Sequence, residues 1–334
     1  MEVYYKKIEP EHNLLNYILF ISFFPQIASG PISKGINLLP QIKAGRTFDL
    51  TKIIEGMKLM LWGMFMKVVL ADRIAIYANT VLDNYEYQNG ISCFIASFCY
   101  TIQIYGDFAG YSLLAIGCGK IMGFDLPNNF NRPYFAATIT EFWRRWHISL
   151  TQWLTSYVYI PLGGNRCSKA RCYMNIFITF LISGLWHGAN WTFIFWGWLH
   201  GMFQVIEKIT GLNSTPKNKW EKIFRISLTF LIINFAWIAF RMPTISDTFA
   251  IYNKIFTNFN GTLFLPGDKT TIVFIMFALL LLLFKEITDE YFPDSFKIMN
   301  SNYTVVRWIG YVSMIVIIML LGVFDAGQFI YVSF

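Results

Sequence analysis

Charge is scarce in this sequence. Only 14% of the 334 residues are Asp, Glu, Lys or Arg, against roughly 25% in soluble domains. The net charge of +7 is spread over short connectors and forms no concentrated stripe. Nucleic-acid binding is therefore not expected. Histidine is rarer still, at four residues: His12, His147, His187 and His200. No H-E-x-x-H motif and no i, i+4 histidine pair exists, so no metal site is expected. The five cysteines make no C-x-x-C pair, which leaves disulfides and a structural metal without support. G-x-S-x-G and H-x4-D are absent as well, which removes the common serine-hydrolase and soluble acyltransferase signatures. There is no internal repeat, low-complexity tract or long linker.

What fills the space is apolar. The chain is 55% hydrophobic and 19% aromatic, with mean hydropathy +0.45. Eleven Trp and 18 Tyr suit aromatic belts at two membrane interfaces. The expected fold is all-α: a multi-pass membrane protein in contact with the lipid bilayer. Apolar segments fall near 13–29, 53–71, 91–117, 173–187, 190–206, 226–241, 271–284 and 305–323. The second carries Lys58 and Lys67 and is expected partly in the interface. Pro25 and Gly30-Pro31 break the first. A single membrane domain over 1–334 is expected.

Thr138-Ile-Thr-Glu141 matches a capping box. The helix it opens is expected to carry Trp143, His147, Leu150 and Trp153 on one amphipathic face along the membrane surface. The basic residues Arg166, Lys169 and Arg171 precede the apolar stretch around His187. Lys208, Lys217, Lys219, Lys222 and Arg225 follow it. Both flanks are then cytoplasmic, and 173–187 with 190–206 form a hairpin with arms of about 15 residues. His187 is expected near its tip.

A histidine at membrane depth is a functional candidate by default. On a continuous helix, Ser183, Gly184 and Asn190 lie at i−4, i−3 and i+3 from His187. A neutral imidazole there can take the proton of a hydroxyl that attacks an acyl ester. Asn190, with Ser183 and Trp186 beside it, is the candidate support for substrate and oxyanion. Arg144, Arg145 and Arg166 are candidates to hold the phosphates of an anionic acyl donor. The bland reading for these cations is positive-inside topology, and for His187 a packing histidine bonded to a carbonyl. His12 reads as solvated, and His200 as interfacial with at most a supporting role.

Several motifs occur together and in order. They are Phe23-Phe-Pro-Gln-Ile-Ala-Ser-Gly-Pro-Ile32, Tyr105-Gly-Asp-Phe-Ala-Gly-Tyr-Ser112, Phe130-Asn-Arg-Pro-Tyr134, Phe142-Trp-Arg-Arg-Trp-His-Ile-Ser149, Tyr159-Ile-Pro-Leu-Gly-Gly-Asn-Arg166, Leu185-Trp-His-Gly-Ala-Asn-Trp191 and Gln328-Phe-Ile-Tyr331. The set resembles the membrane-bound O-acyltransferase (MBOAT) superfamily, in its alginate O-acetyltransferase branch. The resemblance implies short and re-entrant helices around a central funnel, with His187 as the catalytic histidine and His147 as the second active-site position. It implies acetyl-CoA as acyl donor, no bound cofactor, and a bacterial inner-membrane location. It implies an exported polysaccharide or peptidoglycan as acceptor, reached through a periplasmic or extracellular O-acetyltransferase partner. It also implies further helices upstream of Phe23, so an N-terminally truncated form is expected. Three rivals stay open: a D-alanyl transferase fed by a carrier protein, a channel or transporter with His187 as proton relay, and a non-catalytic fragment that only assembles with an envelope complex.

Overall fold

Capping residues decide where the helices start. Asn13, Asp49, Thr138, Ser168, Asn190, Asn218 and Thr244 each accept a backbone N–H of the following first turn, which satisfies donors that a helix leaves orphaned. The computed structural model describes residues 1–27, 30–266, 268–295 and 297–324. Ala28 and Ser29 of the Phe-Phe-Pro motif, and all of Gln328-Phe-Ile-Tyr331, lie outside the described residues.

The described residues are helical and contain no strand. In chain order the helices are α1 (Leu14–Ile21), α2 (Phe24–Ile27), α3 (Gly35–Lys43) and α4 (Leu50–Met64). A π-helical stretch, Phe65–Ala71, joins α4 to α5 (Asp72–Leu82). Then come α6 (Gly90–Ile121), α7 (Ile139–Arg145) and α8 (Ile148–Leu154), the last continued by a π-helical turn over Thr155–Tyr159. The series ends with α9 (Lys169–His187), α10 (Trp191–Thr210), α11 (Lys219–Arg241), α12 (Ile245–Thr257), α13 (Lys269–Tyr291) and α14 (Thr304–Leu321). Helices α11, α13 and α14 are long and apolar enough to cross a membrane. Each apolar segment expected from sequence contains a helix. The first is broken at Ser22-Phe23, just before Pro25. Helices α3, α5 and α12 were not foreseen, being short or polar on one side.

The chain divides into two compact units. The first comprises Met1–Arg73, Tyr105–Asn129 and the described residues from Val273 onward. Its seam is glycine on glycine. A Cβ at Gly63 would lie 2.6 Å from the Gly110 carbonyl oxygen, and one at Gly56 would lie 2.6 Å from that of Gly117. Small residues seven apart on both helices let α4 and α6 backbones touch, the usual device where no hydrophobic effect drives helices together. Gly110→Val is therefore expected to cut the folded, detergent-extractable fraction severalfold, read by size-exclusion chromatography from membranes.

Lys67, read from the sequence as a sign of a partly interfacial segment, is enclosed by the protein. It sits in the π-helical stretch, 2.5 Å from Asp107 and 2.8 Å from Asp72, with side chains of low exposure. A charge this enclosed persists because two carboxylates partner it.

The second unit comprises Ile74–Ile104 and Phe130–Ile272. Here α9 and α10 form a tight antiparallel pair. Cβ atoms at Gly184 and Gly197 would lie 2.3 Å from the Phe193 carbonyl oxygen and 2.4 Å from that of Phe180. A buried polar chain ties α6 to α11: Thr101 Oγ1 donates to Asn234 Oδ1 (2.7 Å), and Asn234 Nδ2 donates to Ser97 Oγ (3.0 Å). Arg225 fastens the α10–α11 connector by donating to the carbonyls of Leu212 and Ser214 at 2.6 and 2.8 Å.

Candidate active site

The site belongs to the second unit, and α7 is its foundation. The capping pair is present, with its return bond made to the residue before the cap. Thr138 Oγ1 accepts from Glu141 N at 2.9 Å, and Glu141 Oε2 reaches back to Ala137 N at 2.8 Å. A second carboxylate joins it from α10. Glu207, buried, accepts from Ile139 N (2.6 Å), Thr140 N (3.0 Å) and Thr140 Oγ1 (2.7 Å). An anion on the first turn of a helix meets both unsatisfied N–H groups and the positive end of the dipole. Sequence reasoning missed Glu207, whose role rests on a contact 67 residues away along the chain. Glu207→Ala is expected to lower stability by about 2 kcal/mol, seen as a lower melting temperature in detergent.

The helix expected to run from Thr138 through Leu154 breaks at His147. Helix α7 ends at Arg145, and α8 starts at Ile148. His147 itself has φ +41°, in the left-handed region. That conformation is costly for a non-glycine residue and is concentrated at functional sites. Trp143, His147, Leu150 and Trp153 therefore do not share one continuous helix face. Trp143, His147 and Leu150 are all buried.

His187 is the last residue of α9 and is 8% exposed. Its ring sits among aromatic rings: Trp186 at 5.0 Å, Phe240 at 5.1 Å, Trp196 at 5.2 Å and Phe193 at 6.4 Å. Trp196 and Phe240 stand nearly perpendicular to it, at 89° and 81°. Trp186 also lies 6.2 Å from the His147 ring, so one half-exposed indole borders both imidazoles. Burial first, and the nearby His187 second, hold the His147 imidazole well below its ordinary range. His147 is thus neutral at physiological pH.

The structure separates Asn190 from the face expected for it. The helix stops at His187-Gly188, and a Cβ at Gly188 would run into the Phe193 ring at 2.7 Å. Asn190 instead caps α10: its Oδ1 accepts from Thr192 N at 3.1 Å, and its Nδ2 donates to the Pro243 carbonyl at 2.9 Å. Its amide is spent on structure. Ser183 is buried on α9.

His200 is a second correction. It is fully buried and not interfacial. Helix α10 runs on to Thr210, and Trp143 of α7 donates its indole N–H to His200 Nδ1 at 3.3 Å. The hairpin arms are also longer than expected, at 19 and 20 residues, or about 28 and 30 Å.

Of the expected donor-holding cations, Arg145 is engaged in an i, i+4 ion pair with Glu141 at 2.7 Å. Arg144 and Arg166 are exposed, Arg144 on α7 and Arg166 in the loop before α9. Among the described residues no His, Cys, Asp and Glu cluster suits a metal ion. Chemically, the chamber offers two buried imidazoles on an aromatic wall, a setting suited to moving a proton out of water.

A protein-family model described as MBOAT, membrane-bound O-acyltransferase family, matches residues 5–244. The chain is 40% identical over 261 residues to a probable alginate O-acetylase AlgI of Pseudomonas aeruginosa, covering 77% of this chain and 49% of that protein. It is 40% identical over 243 residues to a peptidoglycan O-acetyltransferase of Helicobacter pylori, covering 72% and 46% respectively. A teichoic acid D-alanyltransferase of Streptococcus thermophilus is 29% identical over 260 residues, covering 69% and 62%. The chain spans about half the length of the curated O-acetylase relatives it matches.

Proposed function

Because the chain belongs to the membrane-bound O-acyltransferase family, we propose that it moves an acetyl group from acetyl-CoA toward an exported or cell-envelope polysaccharide, alginate-like or peptidoglycan. The observation that carries this reading is His187, buried in an aromatic chamber with His147 nearby. His187 is the general base. It takes the proton of an acceptor hydroxyl as the oxygen adds to the thioester carbonyl. The C–O bond forms, the C–S bond breaks, and the thiolate regains that proton from the imidazolium. His147, neutral and fixed by the break between α7 and α8, orients the reactants. A secreted O-acetyltransferase is the proposed partner on the far side, and the multi-pass location is the bacterial inner membrane.

The proposed topology follows from charge. The flanks of α9–α10, near Lys169 and Lys217, face the cytoplasm. Roughly 32 Å of helix rise separates Lys219 from Phe240 on α11, and Phe240 touches His187. His187 then lies toward the opposite face, at the far end of the donor's path. Single cysteines at Lys169 and Lys217, in a cysteine-free background, should escape an impermeant maleimide added outside. Labelling of either position would overturn this topology.

The second reading is D-alanyl transfer from a carrier protein. The teichoic acid D-alanyltransferase relative supports it, at lower identity than the O-acetyltransferases. The deciding experiment compares envelope polysaccharide from cells with and without the gene. Base-released acetate that depends on the gene supports acetyl transfer; released D-alanine in its place supports the second reading. Membership of an acyltransferase family weighs against a channel.

A further inference from the structure

The acetyl-transfer reading needs donors for the oxyanion, and Asn190 does not supply them. Four buried polar atoms around the chamber have no hydrogen-bond partner: Trp196 Nε1, Trp237 Nε1, His200 Nε2 and Ser183 Oγ. Their residues are all at most 1% exposed. The three rings pack on one another, with centroids 4.8 Å apart for Trp196 and His200, 5.7 Å for Trp196 and Trp237, and 6.4 Å for His200 and Trp237. Trp196 is also the ring that stands perpendicular to His187.

The hydrogens can be assigned. An indole nitrogen only donates. Trp143 donates to His200 Nδ1, so neutral His200 carries its hydrogen on Nε2. The three rings therefore carry three N–H donors that make no hydrogen bond, with the Ser183 hydroxyl likewise unpartnered. A phenyl ring fills similar space without forfeiting a hydrogen bond to water. Three such losses on mutually packed rings, one ring from a proposed base, call for a guest that accepts.

We propose that His200, Trp196 and Trp237 bind the carbonyl oxygen of the acyl donor and stabilise the oxyanion formed when the acceptor hydroxyl adds. This rests on the acetyl-transfer reading and adds the groups that would hold its oxyanion. The carbonyl electrons move onto an oxygen that meets N–H groups already in place, so no solvent has to reorganise.

The test uses the full chain in lipid nanodiscs and two unreactive probes. One is the amide isostere of acetyl-CoA, with NH in place of sulfur; the other is S-ethyl-CoA, which lacks the carbonyl oxygen. The wild type should bind the amide at least about ten-fold more tightly. Trp196→Phe, Trp237→Phe and His200→Phe should shrink that ratio toward one while S-ethyl-CoA affinity stays unchanged, which also reports an intact fold. Equal affinity for both probes in the wild type would overturn the pocket and leave the CoA donor standing. An unchanged ratio in all three variants would overturn it too. Failure of the wild type to bind either probe would remove the CoA donor, and the pocket with it.

Discussion

His187→Ala is expected to abolish acetylation of the envelope polysaccharide while the protein still reaches the membrane. Loss of a general base typically costs 10²- to 10⁴-fold in rate, which takes released acetate to background. The substitution also removes a ring that touches Trp186, Phe193, Trp196 and Phe240, so a cavity effect has to be separated from a chemical one. His187→Gln keeps most of the volume and a polar end. It is expected to be as inactive as His187→Ala but better folded. Acetate release near the wild-type level from His187→Gln would remove the base from the account.

His147→Gln is expected to lower turnover by roughly ten- to a hundred-fold, with protein level retained. Packing alone would be nearly preserved by glutamine; orientation of a reactant by an imidazole at the α7–α8 break would not. The pH dependence gives a second readout. Burial holds His147 neutral well below its ordinary range, so its charge state does not change between pH 8 and 6. No loss of activity assignable to His147 should appear there. The sign for stability follows from the same shift. The unfolded chain takes up a proton near the ordinary histidine value and the folded chain does not. Stability from this group is therefore complete above about pH 6.5 and declines as pH falls below it. A wild-type rate in His147→Gln would leave His187 as the sole supported catalytic residue.

Local signals made part of this site legible. The Thr138–Glu141 capping box placed the start of α7, and hydropathy placed α6, α9, α10 and α11. Other features depend on distant partners. His147 has no glycine or proline beside it, so nothing local announces that the helix breaks there. The end of α9 did carry a signal: Gly188 follows the last turn and Asn190 is a good N-cap. A continuous helix through His187-Gly-Ala-Asn190 ignored both and put Asn190 on the wrong face. His200 looked interfacial because α10 was ended too soon, and its burial depends on Trp143, 57 residues away in the chain. The enclosure of Lys67 depends on Asp107, its partner, 40 positions downstream on α6. Helix existence was thus readable from composition and caps, whereas the environment of each charged or titratable group was set by tertiary contacts.

The most direct measurement is vectorial acetyl transfer in sealed, inverted membrane vesicles from cells carrying the full chain. Acetyl-CoA labelled in the acetyl group is supplied on the outer, originally cytoplasmic, side. Label is expected on polysaccharide inside the vesicles, dependent on His187 and accompanied by stoichiometric free CoA outside. Equal labelling in His187→Ala vesicles, or label that never leaves the donor in the wild type, would contradict this expectation.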